Sequence, residues 1–100
     1  IEDIFSVDGV DGYIIGPYDL SSSIGFPGDL ENREVTDLIA KIQEAGERAG
    51  IPGGIHLVEP NIKKVKEFVD KGLSIIGYGM DVRVLDSIYR SHLERIRDLL

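Results

Sequence analysis

Three short segments hold the residue types that could do chemistry. The first is Gly16-Pro17-Tyr18-Asp19-Leu20-Ser21-Ser22-Ser23-Ile24-Gly25. Its one carboxylate, Asp19, would sit just past the end of an apolar run. A lone carboxylate there suits a hard divalent cation bound through oxygen, with water and substrate filling the other positions. Gly16 lets another group approach the backbone closely, and Pro17 stiffens the exit from the run. The plainer alternative is that Asp19 caps a short turn through Ser21 and Ser22. The second segment is Ile55-His56-Leu57. A histidine in an apolar strand is either a core residue with one hydrogen bond or a side chain facing a pocket and touching a ligand. Side chains alternate along a strand, but alternation alone does not say which face is inward. The third is Gly77-Tyr78-Gly79-Met80-Asp81. Glycines ahead of a helix can cradle an anion on backbone N–H groups. The preferred reading is a tight strand-to-helix turn with Asp81 as N-cap.

The elements that must position these residues follow from hydrophobic period. Val10–Ile15, Gly53–Val58 and Leu73–Tyr78 are short apolar runs bounded by Gly or Pro, and read as buried strands. None alternates strictly, as expected of a parallel sheet covered on both faces. Residues 31–49 place Val35, Leu38, Ile39, Ile42, Ala45 and Ala49 at spacings of three and four, which predicts an amphipathic helix ending at Gly50. A second helix is predicted over Asn61–Lys71, with Ile62, Val65, Phe68 and Val69 inward, Pro60 at its start and Gly72 at its end. The last starts near Asp81 and carries Val82, Leu85, Ile88, Tyr89, Leu93, Ile96 and Leu99 to the end of the chain. Residues 1–6 read as the end of an earlier helix. Strand-helix alternation predicts an α/β fold of parallel βα units joined by right-handed crossovers. In such folds the active site lies at the carboxyl ends of the strands, where all three segments fall.

Composition sets limits. The chain has 100 residues, with 11 basic against 18 acidic side chains and a net charge of −7, which argues against a general nucleic-acid surface or a polybasic membrane anchor. With no cysteine, disulfides, zinc-thiolate sites and thiol catalysis are excluded. No apolar run approaches the roughly 18–20 residues that cross a bilayer, so the expected location is the cytoplasm. Three βα units make a small open sheet or three-eighths of a (β/α)₈ barrel, which runs to about 250 residues. The chain opens on Ile1 rather than Met, and is expected to be a piece of something longer. Residues 1–100 show no internal linker and are read as one segment of partial barrel. The last helix carries more apolar surface than one small sheet needs, which predicts a partner surface from missing chain or a second subunit. His92 and the Lys63-Lys64-Lys66-Lys71 group read as solvated or interface positions.

Val7-Asp8-Gly9-Val10-Asp11-Gly12, then Ile15-Gly16-Pro17-Tyr18-Asp19-Leu20-Ser21 and Gly25, resembles the V-x-G-V-D-G and G-P-x-D-L-S signature of the HpcH/HpaI aldolase family. The likeness continues through Gly54-Ile55-His56, Gly72-Leu73 and Gly79-Met80-Asp81. It implies the C-terminal three βα units of a (β/α)₈ barrel and a class II aldolase. Such an enzyme reversibly cleaves 4-hydroxy-2-oxo acids into pyruvate and an aldehyde. The implied cofactor is a divalent cation: magnesium or manganese first, cobalt next. By the same resemblance Asp19 is a metal ligand. Gly16, Pro17 and Tyr18 line the pyruvate site, with the N–H groups of Tyr18 and Asp19 near its carboxylate. His56 matches a substrate-lining position that is usually apolar, and a polar group there implies a hydroxylated or acidic aldehyde partner. Tyr78 and Met80 match the pocket edge.

The resemblance also implies absences. A second metal ligand (a glutamate on the preceding strand), an arginine and a His-Asp pair that manages protons would all lie before Ile1. The 100 residues alone, with no catalytic base, are then expected to be inactive. A homo-oligomer packed through the C-terminal helix is also implied. Two rivals fit parts of the pattern. One is an acyl-CoA lyase related to the citrate lyase β chain. The other is a non-catalytic α/β module that assembles through its last helix.

Overall fold

Each apolar run becomes a strand shorter than its sequence outline. A computed structural model describes residues 1–100. The elements are α1 (Glu2–Phe5), β1 (Tyr13–Ile15), α2 (Pro17–Ser23), α3 (Arg33–Ala49), β2 (Gly53–Leu57), α4 (Ile62–Asp70), β3 (Ile75–Tyr78) and α5 (Asp81–Arg97). The strands form one parallel sheet in the order β1-β2-β3. Ile15 pairs with Ile55, and His56 with Gly77.

Helices cover one face of the sheet. Ile15, Ile55 and Leu73 are buried there against Tyr13, Leu20, Ile39, Ile42, Phe68 and Ile76. The opposite face is open: Ile14 is 60% exposed, whereas its neighbour Ile15 is 5% exposed. Tyr13 locks α3 to the sheet. A Cβ added at Gly46 of α3 or at Gly53 of β2 would run into its ring, and the Phe5 ring lies 4.9 Å away. Burial raises the Tyr13 pKa, and the Glu47 charge adds to it.

Helix ends are set by side chains. Asn32 caps α3 by accepting from the Glu34 N–H at 2.9 Å. Gly50 closes α3 in the left-handed region at φ 69°. At α4 the cap is Asn61, which accepts from the Lys64 N–H at 3.2 Å, with Pro60 one residue earlier.

Several expectations are corrected. The strand from Val10 shrinks to Tyr13–Ile15, and Leu73 is buried but precedes β3. Asp81 is not the N-cap of α5. Met80 holds that position, without a side-chain bond, and Asp81 bonds its neighbouring Val82 N–H at 2.7 Å. On α4, Ile62 and Val69 face outward, at 79% and 53% exposed, while Val65 and Phe68 are half-buried. The segment after Gly16 is a seven-residue helix rather than a turn, because Pro17 takes a first-turn position where its missing N–H costs nothing. The helix α5 ends at Arg97, and none of its residues is buried. It contributes to a long dimension of 60 Å.

Candidate active site at the strand ends

β1 stops at Ile15 because Gly16-Pro17 turns the chain into α2. Asp19 falls in the first turn of that helix. No side-chain cap bond forms there, so Asp19 does not close the turn. Ser21 and Ser22 instead donate back to the Tyr18 carbonyl at 2.8 and 2.9 Å. Buried Ser21 also accepts from the Gly28 N–H at 3.1 Å, tying the following loop to α2. A Cβ on Gly16 would come within 3.0 Å of Asp19 Oδ2. Glycine therefore leaves room for the carboxylate to lie against the strand exit. The N–H groups of Tyr18 and Asp19 take part in no backbone hydrogen bond, as expected for the first turn of a helix.

His56 lies on the sheet's open face. Ile55 is fully buried on the helix side, and neighbouring strand residues point oppositely. The His56 Nε2–H donates to the Gly79 carbonyl at 3.0 Å. A neutral ring with that bond keeps Nδ1 as an acceptor. Gly79, at φ +73°, allows the chain to turn from β3 toward α5.

These residues meet in one cavity of about 480 Å³. It brings together Gly16, Pro17, Tyr18, Asp19, His56 and Met80. Tyr78, expected at the pocket edge, does not line it. It pairs with Leu57, a register that turns it toward the helix side. Three residues that sequence reasoning did not place at the site join the lining, Val58, Glu59 and Arg83. Arg83 donates through Nε and Nη2 to the two Glu59 oxygens at 2.8 and 3.0 Å, and lies 3.4 Å from Asp86. Bonding to Glu59 raises the Arg83 pKa further. No spacing rule marks a pair that is 24 residues apart.

No group of three or more ligating side chains forms within the chain. A cation held here would take a single protein ligand from these residues, Asp19, which fits a hard divalent ion completed by water, substrate and further chain.

The model of the HpcH/HpaI aldolase/citrate lyase family matches residues 1–87. The chain belongs to that family. It is 34% identical over 101 residues to a hydroxypyruvate/pyruvate aldolase of Roseovarius nubinhibens, covering 97% of this chain and 37% of the relative. It is 35% identical over 86 residues to a 4-hydroxy-2-oxo-heptane-1,7-dioate aldolase of Klebsiella pneumoniae, covering 82% of this chain and 30% of the relative. A solved HpcH/HpaI aldolase/citrate lyase family protein from Burkholderia cenocepacia superposes with a TM-score of 0.88 at 30% identity, over 96% of this chain and 37% of that one. The chain thus spans about a third of the length of these relatives, 30% to 37%. Three of eight βα units would occupy a similar share, so the open face of this sheet corresponds to the inside of the family's barrel. No helix is long and apolar enough to cross a membrane.

Proposed function

We propose that the complete protein carrying these residues is a divalent-metal-dependent aldolase that reversibly cleaves 4-hydroxy-2-oxo acids to pyruvate and an aldehyde. One observation carries the reading: in a chain of this family, the uncapped Asp19 carboxylate lies beside two unbonded N–H groups at the strand ends. The cleavage breaks the bond between C3 and C4. Its electron pair becomes the enolate of pyruvate, and the 4-hydroxyl proton leaves to a base. Asp19 would hold a divalent cation, which would supply Lewis acidity toward the charge that develops on the 2-oxo acid. The N–H groups of Tyr18 and Asp19 hold the 2-oxo acid's carboxylate as preorganised donors. The base is assigned outside residues 1–100, so these residues alone are assigned no activity.

His56 narrows the aldehyde. Its Nδ1 can accept from a hydroxyl group, whereas the one guanidinium at the cavity is already held by Glu59 and Asp86. A hydroxylated partner fits better than an acidic one.

The test is pyruvate release by the purified complete protein from a 4-hydroxy-2-oxo acid. Release should stop with a chelator and return with magnesium, manganese or cobalt. Chelator-insensitive release, or turnover of acyl-CoA thioesters in its place, would overturn the proposal.

The same reading gives α5 a role in assembly. Leu85, Leu93 and Leu99 on α5 are 57%, 50% and 84% exposed. Apolar surface on this scale marks a contact face. The complete protein is expected to sediment as a homo-oligomer, and a monomer would remove that role.

A further inference from the structure

A groove of about 400 Å³ runs between α3 and α4. That lies within the roughly 300–1,000 Å³ of small-molecule sites. Ile39 and Ala40 of α3 and Phe68 of α4 give it an apolar lining. Gln43 also lines it, yet is only 9% exposed. Its amide finds no hydrogen-bond partner among the other residues, but no polar side-chain atom is sealed off without one. The amide therefore keeps its access to the groove. Nearly buried yet open to the groove, the amide is a fixed donor and acceptor that a ligand can pair in place of water.

The charges around the groove are mostly matched. Lys64 lies 3.4 Å from both Glu31 and Glu67, which fastens the start of α4 to the loop before α3. Glu59 is held by Arg83. Lys71 is the exception: it forms no ion pair, and its ammonium sits 5.5 Å from the Phe68 ring centroid.

We infer that this groove binds a small monocarboxylate with an aromatic or branched apolar body. The carboxylate accepts from the Gln43 amide and faces the Lys71 charge. The body lies between Ile39 and Phe68. Free Lys71 calls for an anion, Gln43 for a hydrogen-bond acceptor, and the walls for an apolar remainder. The site meets the strand-end cavity at a shared rim that includes Tyr18, His56 and Glu59. Its apolar walls and Gln43 belong to α3 and α4, however, and the inference does not depend on the aldolase reading.

The test uses the complete protein, phenylacetate as probe and calorimetric titration, with and without oxalate to block a metal-bound 2-oxo acid site. Phenylacetate should bind with one site per chain whether or not oxalate is present, and phenylacetamide about tenfold more weakly. Gln43→Leu and Lys71→Gln should each weaken phenylacetate about tenfold. Lys71 is exposed, so its variant should keep the wild-type melting temperature and remain informative even if Gln43→Leu unfolds. Loss of binding in oxalate would move the ligand to the strand-end cavity and overturn the inference. No binding at about 10 mM phenylacetate, or an unchanged affinity in Lys71→Gln, would overturn it as well.

Discussion

Asp19→Asn in the complete protein is expected to lower divalent-metal affinity and turnover together, by about 100-fold or more. Removing a group that merely orients a metal ligand costs roughly 10–100-fold, so removing the charge of a ligand itself belongs at or beyond the upper end. The substitution is nearly isosteric and leaves the backbone alone. Asparagine fits the first turn of α2 as well as aspartate does, apart from a helix-dipole contribution of roughly 0.3–1 kcal/mol. A wild-type melting profile with lost manganese binding would therefore isolate the site from the fold. Excess metal should restore part of the rate, because the loss lies in occupancy. An unchanged titration of metal onto Asp19→Asn would take Asp19 out of the ligand role, whatever happened to activity.

The place of Asp19 at the exit of β1 was legible in the sequence because its surroundings are local: Gly16, Pro17 and Asp19 are neighbours in the chain. The α/β alternation was legible for the same reason, since apolar period changes over a few residues. α2 was not. Its seven residues include three serines and little apolar period, and what shapes it is a proline at the start and hydroxyls bonding back to Tyr18. The face chosen by His56 needed the burial of Ile55, a fact about packing. The Glu59–Arg83 pair needed the β2 exit and the α5 start to meet in space. On α5 the sequence showed an excess of apolar residues, and the structure leaves them exposed. On α4 the spacing of Ile62 and Val69 looked like a buried stripe, but only its middle reaches the sheet.

Gly54→Ala is expected to destabilise the complete protein by about 3 kcal/mol, the upper end of what overpacking a well-filled site costs. The reason lies in the sheet itself. Gly54 pairs with Ile75 across β2 and β3, and an added Cβ would sit 2.6 Å from the Ile75 carbonyl oxygen and 2.7 Å from its Cβ. A backbone atom cannot turn aside as a side-chain tip can, so the two strands would have to separate. Gly77 offers the contrast. A Cβ there meets His56 Cδ2 at 3.1 Å, and that ring can rotate at the expense of its bond to Gly79. Gly77→Ala should therefore keep most of the stability while disturbing His56. Denaturant midpoints at constant slope separate the two cases. If Gly54→Ala unfolds at the wild-type midpoint, β2 and β3 are not held at this spacing. Gly54 and His56 sit two residues apart on the same face of β2, so the position of His56 at the cavity would then need another cause.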